Sequence, residues 1–247
     1  MMAGFLWGYW RYLGGKGWPR STAVTRRSSL RVSRLSESAW GWSLTAGVLG
    51  VASAVNLQMV YGRFVHLPSD PAQDFSRYPS LTVVCALLMG AAVAGFMEEA
   101  GFRGYMQVPL ERRYGPIVAS ITVGILFGMA HFSHGIAQTI PLLPYYFAIS
   151  VIYSAIAYLS NSLLPVVAIH ASGDALEFLY AWLHGASPLK PAGEQSEVAF
   201  GVHLISGLLL GALAIGAYRQ LAAVAHRKRG PDPGNGMEDT ASTGDMA

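Results

Sequence analysis

The sequence predicts an all-α integral membrane protein, a bundle of about six transmembrane helices around a polar intramembrane cleft. Three observations carry this. Hydrophobic residues make up 52% of the 247-residue chain and charged residues only 13%, about half the roughly 25% of an ordinary soluble protein. Eight charged residues lie within 1–38 and eight within 219–247, which leaves 15 for the 180 positions between; that stretch cannot supply the charged surface a soluble domain needs all round. Six apolar windows, 39–61, 81–103, 116–132, 140–159, 163–183 and 198–218, approach or exceed the length that crosses a hydrocarbon core of about 30 Å. A soluble enzyme, a disordered chain and a secreted disulfide scaffold are excluded. The one cysteine, Cys85, lies inside an apolar run and has no partner for an internal disulfide.

The elements follow in order. Residues 4–13 are apolar and aromatic but too short to span, and Trp7, Tyr9, Trp10 and Tyr12 around Arg11 mark an interfacial segment. They lack the basic start of a signal peptide. Residues 1–38 are expected as a basic, aromatic segment at the cytoplasmic interface, 39–219 as the transmembrane domain and 220–247 as a disordered cytoplasmic tail, Gly- and Pro-rich from Gly230. Backbone in lipid must satisfy its own hydrogen bonds, so all six windows read as helices, and no period-2 alternation supports a barrel. Gly124 with Gly128, and Gly207 with Gly211, form small faces for close helix packing.

Orientation comes from the loops. Seven Lys/Arg precede the first window against Glu37 alone, Arg112 and Arg113 follow the second, and Arg219, Arg227, Lys228 and Arg229 follow the sixth. The alternate loops hold Arg63 and Arg77, then none, then Lys190. The positive-inside pattern puts both termini in the cytoplasm, in the cell (plasma or inner) membrane. The net charge of +3 and pI of about 9.0 therefore report orientation, and no nucleic-acid partner is expected.

Charged groups within spans are functional candidates by default. Glu98 and Glu99 are followed by Arg103; Glu99 and Arg103 share a helix face at i and i+4, and Glu98 is rotated about 100° away. Phe127 and His131 repeat the spacing, as do His170 and Asp174, whose carboxylate can hold one imidazole nitrogen. Each pair alone could be helix packing; three pairs on three different spans point to a site. Glu177 shares the face of His170 without an assignable role, and His134, His184 and His203 are expected at helix ends or the outer interface.

These ordered motifs, with the surrounding 102–105, 110–115 and 126–131, resemble the CPBP intramembrane proteases, called Abi proteins in bacteria, relatives of the type II CAAX prenyl endopeptidase. The resemblance covers about residues 80–180. It implies hydrolysis of a peptide bond in a membrane-associated or hydrophobic protein by a glutamate-activated water. It makes Glu98 the general base, His131 the group that holds and polarises the water, Glu99 and Arg103 the supporting pair, and His170 with residue 174 the oxyanion stabilisers. A carboxylate in a poorly solvated cleft is a base able to take a proton from water, and donors aimed at the tetrahedral oxygen stabilise the transition state. The family often carries asparagine where Asp174 stands; ionised Asp174 can only accept, so it is expected to orient His170 and leave that ring as donor.

A divalent metal such as zinc is the open alternative to a metal-free mechanism, with Glu98, His131 and His170 as candidate ligands. The His-Glu-x-x-His signature is absent, and no required cofactor is expected. A non-catalytic immunity or scaffold protein of the same family is the rival function, and a proton-coupled transporter the more remote one, since neither paired repeats nor broken helices are evident. Glu98 and His170 are expected near the cytoplasmic ends of their helices, with His131 about 22 Å along its own from Pro116.

Overall fold

The computed structural model describes residues 2–31, 33–67, 74–185, 187, 189 and 196–229. All regular structure among them is helical. Two short helices, α1 (Met2–Leu13) and α2 (Ala23–Ser29), precede α3 (Glu37–Gly62), α4 (Ser80–Glu99), α5 (Gln107–Ala130), the single turn α6 (Ile136–Thr139), α7 (Leu143–Ser160), α8 (Leu164–His184) and α9 (Glu197–Arg229). Four helical stretches are long and apolar enough to cross a membrane: Glu37–Gly62, Ser80–Ser133, Ile136–Ser160 and Glu197–Ala225. The expected second and third spans share the 54-residue stretch Ser80–Ser133. The expected fifth is helical as α8, but His170, Asp174 and Glu177 lower its hydropathy and it is not among the four.

The long stretch folds back on itself at Gly115. Its φ of 82° and ψ of 166° fall in a region open essentially to glycine alone, and Pro116 starts the returning limb with its φ already set. Before Gly115 the chain is helical from Ser80, through a π-helical segment, Ala100–Met106, into the first part of α5. Arg103 and Phe127 each stand twelve residues from Gly115, and the Arg103 guanidinium lies 4.5 Å from the Phe127 ring, so the limbs run antiparallel. The boundary expected at residue 103 is therefore too early. The helix continues because its next polar side chains, Gln107 and Glu111, find partners inside the protein rather than water.

Three helix pairs organise the bundle: α3 with α9, α4 with α8 and α5 with α7. Gly95 brings α4 and α8 into backbone contact, since a Cβ there would meet the Ala171 nitrogen at 2.8 Å. The two small-residue faces do pack: Gly124 and Gly128 sit against Phe147 and Leu143 on α7, and Gly207 and Gly211 against Leu57 and Ser53 on α3. Tyr153, Ile156, Val166 and Ile169 centre the core.

Leu13 and Leu30 belong to that same core. The N-terminal segment keeps Trp7, Trp10 and Tyr12 exposed yet is also an integral layer of the bundle. Tyr9 and Trp10 pack on Phe96 of α4, Tyr105 donates to the Arg26 carbonyl, and Ser33 Oγ donates to the Asn161 carbonyl at 2.7 Å. Arg31, Arg112 and the ends of α7 and α9 gather at one end of the bundle, called here the basic end. At the other terminus, α9 continues as helix to Arg229, which corrects the expectation of disorder from residue 220. Residues 230–247, Lys190 and the side chain of His134 lie outside the described residues.

Candidate active site

Glu98 lies seventeen residues before Gly115 and His131 sixteen after it. At 1.5 Å per residue both stand about 25 Å from the reversal. The two limbs thus bring them to a similar depth without tilting, so Glu98 does not sit near a helix end as expected, and His131, whose depth the sequence leaves open, comes level with it. The π segment and the eight residues after it supply the length that a helix ending at Arg103 lacks.

Two adjacent carboxylates diverge here. Glu99 is fully buried, and its Oε1 accepts from Arg103 Nη1 at 3.0 Å and from His170 Nδ1 at 2.7 Å. Arg103, also fully buried, donates from Nη2 to Ser150 Oγ at 2.9 Å. Its guanidinium lies 4.5 Å from the Phe127 ring and 5.4 Å from that of Tyr153, contacts that stabilise a cation away from water. Glu99 Oε2 and Arg103 Nε are buried without a hydrogen bond among the described residues. Glu98, one residue earlier, leaves 34% of its side chain exposed, and its Oε2 is 3.9 Å from His170 Nε2. One carboxylate is locked into a buried network; its neighbour faces open space.

Asp174 Oδ2 stands 3.6 Å from His170 Nε2. Against expectation, then, the nitrogen bound within hydrogen-bond distance is held by Glu99, and Asp174 and Glu98 flank the other one. The i, i+4 spacing on α8 brings Asp174 near the ring, but α4, pressed close at Gly95, reaches it first.

His131 caps the returning limb. A carbonyl only accepts, so His131 Nδ1 donates to the Phe127 oxygen at 2.8 Å, which in the neutral ring puts the lone pair on Nε2. The imidazole stacks on Tyr146 with centroids 3.9 Å apart. Phe127 packs against His131 at 4.8 Å and His170 at 6.3 Å, so one buried ring spaces the two imidazoles. Thr139 Oγ1 donates to the His131 carbonyl at 2.7 Å and fixes the turn that follows.

The sequence reading missed a polar ladder behind the site. Glu99, Arg103, Gln107 and Glu111 recur every four residues. Gln107, fully buried, donates to Glu111 at 2.6 Å and to the Ser154 carbonyl at 3.0 Å. Glu111 in turn makes a buried two-point ion pair with Arg31 of the N-terminal segment. In a plain α-helix each step of four drifts by about 40°; the wider π turn takes up part of that drift and keeps the row aimed at α7. The repeat was visible in the sequence, but the π segment that makes it one face was not.

The remaining polar residues make other bonds. Glu177 accepts from Ser187 Oγ at 3.2 Å, His184 ends α8 stacked on Tyr180, and His203 bonds Asn56 between α9 and α3. Glu98, His131 and His170 do not converge as metal ligands. Among the described residues no group of three His, Cys, Asp or Glu is placed to hold an ion, and each imidazole's Nδ1 is already committed, to Phe127 and to Glu99.

Residues 80–176 fit the model of a family described as type II CAAX prenyl endopeptidase Rce1-like. That range holds Glu98, Glu99, Arg103, His131, His170 and Asp174. No curated protein and no solved structure matches significantly.

Proposed function

We propose that this chain, an Rce1-like membrane protein across residues 80–176, is an intramembrane endopeptidase that cleaves a hydrophobic or membrane-associated peptide with a glutamate-activated water. The observation that carries the reading is the split between Glu99, buried in a network, and Glu98, partly exposed beside it. A packing pair alone would need only the first.

In this mechanism Glu98 takes a proton from a water whose oxygen attacks the scissile carbonyl carbon. His131 Nε2 accepts a hydrogen bond from the same water and fixes its direction. As the tetrahedral oxyanion forms, His170 donates to it from Nε2–H while Glu99 holds the opposite side of the ring. Glu98 then delivers its proton to the amide nitrogen, the C–N bond breaks, and a carboxylic acid and an amine leave. Donors already aligned in a water-poor site need no reorganisation as charge develops. The protein is taken to lie in the cell membrane with both termini in the cytoplasm, following its basic loops.

The test uses protein reconstituted in liposomes with two quenched peptides, one hydrophobic and unmodified, one farnesylated at a C-terminal CAAX sequence. Comparative membrane proteomics of cells carrying wild type or Glu98→Gln extends the search to native substrates. A cleaved species present with wild type and absent with Glu98→Gln supports the reading. Equal processing by both, or a phenotype that survives Glu98→Gln with His131→Ala, favours a binding or immunity role instead.

A further inference from the structure

A cavity lies at the basic end, lined by none of the candidate active-site residues. It encloses about 230 Å³ between the start of α3, the end of α7 and the last turns of α9. Its lining is two-sided. Leu35, Leu159, Leu221 and Ala225 give an apolar wall, while Arg34 and Asn161 stand on the polar side. Arg34 is exposed and has no acidic or hydrogen-bonding partner among the described residues; Glu37, three residues on, makes no ion pair with it.

This combination differs from the molecule's other cations in well-formed settings. Arg26 bonds to backbone carbonyls, Arg31 pairs with Glu111, Arg103 with Glu99, and Arg63 with Glu197. Arg34, without such a partner among the described residues, opens onto a concave, mainly apolar pocket where three helices end. Helix ends lie where acyl chains give way to headgroups, and the sequence adds Arg227, Lys228 and Arg229 to α9 directly beyond Ala225. A ligand matching this surface has an apolar body and an anionic head at the interface. That is the chemistry of an acidic phospholipid, for which a guanidinium supplies charge and two-point hydrogen bonds to phosphate.

We infer that this cavity binds one acidic phospholipid, its phosphate on Arg34 and the first part of its acyl chains against Leu159, Leu221 and Ala225. The site needs nothing from the proteolytic reading. It ties the N-terminal segment to α7 and α9 through a lipid as well as through Ser33 and Asn161.

The experiment takes the full chain from vesicles of equal phosphatidylglycerol and phosphatidylcholine into mild detergent and counts retained lipids by native mass spectrometry. Wild type should retain phosphatidylglycerol over phosphatidylcholine. Arg34→Gln should lower that retention about fivefold, the worth of one interfacial cation; Arg34 is exposed, so the fold tolerates the change. Ala225→Phe fills the cavity but keeps the charge, and should lower retention as much. Arg112→Gln, exposed at the same end, should leave it unchanged. Equal retention of both lipids, or wild-type retention in Arg34→Gln or in Ala225→Phe, overturns the assignment. Release of the lipid by excess inorganic phosphate alone also overturns it, since the site would then read the phosphate without the chains.

Discussion

Glu99 Oε1 accepts from His170 Nδ1 at 2.7 Å and from Arg103 Nη1 at 3.0 Å, so one carboxylate oxygen on α4 joins an imidazole on α8 to a guanidinium one turn along its own helix. The first prediction follows from this link. Glu99→Gln removes the negative charge that Arg103 and His170 share and leaves a buried Arg103 without its counter-ion. Loss of one partner of a buried pair costs about 3–5 kcal/mol, so this variant should unfold at markedly lower temperature in detergent. Glu98→Gln, changed at a partly exposed group, should melt like wild type while losing peptidase activity by at least about a hundredfold. Thermal unfolding and peptide cleavage measured on the same samples separate the two; similar melting of both variants would contradict the division between support and chemistry.

Asp174 flanks His170 without holding it. Asp174→Asn keeps the shape and adds a donor beside Nε2, so the rate constant for cleavage should stay within about tenfold of wild type, or about 1.4 kcal/mol in barrier height. His170→Gln removes the ring and should lose far more. A loss in Asp174→Asn as large as in His170→Gln would restore Asp174 to the role of principal orienter.

Arg31 and Glu111 fasten the N-terminal segment to the foot of the ladder. Either single change, Arg31→Ala or Glu111→Ala, leaves a buried charge alone and should destabilise by about 3–5 kcal/mol. Changing both should cost clearly less than the two losses together. A double-mutant cycle on unfolding free energy reads the coupling, and strict additivity would show that the pair is not one unit.

Gly115 sets the reversal. Gly115→Ala meets no neighbour within 4 Å, so its effect is purely in the backbone, where a non-glycine residue at these angles costs about 1–3 kcal/mol. Relief of that strain shifts one limb against the other and should depress cleavage more than stability alone explains. Gly101→Ala, equally free of contacts but helical, is the control and should be nearly silent in both assays.

Much of this molecule was legible in its sequence. The apolar windows announced the long helices, because a mostly apolar run of about 20 residues has few other uses, and three i, i+4 pairs picked out Glu99, Arg103, His131, His170 and Asp174. What escaped was set by tertiary partners. Residues 104–114 look like a polar loop because Gln107, Glu111 and two arginines interrupt the apolar run; only the presence of Ser154 and Arg31 across the interface turns that stretch into buried helix. The partner of His170 escaped for the same reason. Spacing along α8 nominates Asp174, whereas Glu99 arrives from another helix through the close approach at Gly95.

Because Glu98 and His131 are suspended from a shared fold-back, insertions in this hairpin carry a symmetry rule. A turn added to one limb alone slides its residue by about 5.4 Å past the other and takes the two side chains out of register. A turn added to both limbs lengthens the handle and leaves their relative height untouched. The stretch between the site and Gly115 is thus a spacer that descendants of this chain can lengthen or shorten only in matched increments, and paired length changes on either side of a glycine-proline corner become a signature by which the same catalytic geometry can be followed through sequences that share little else.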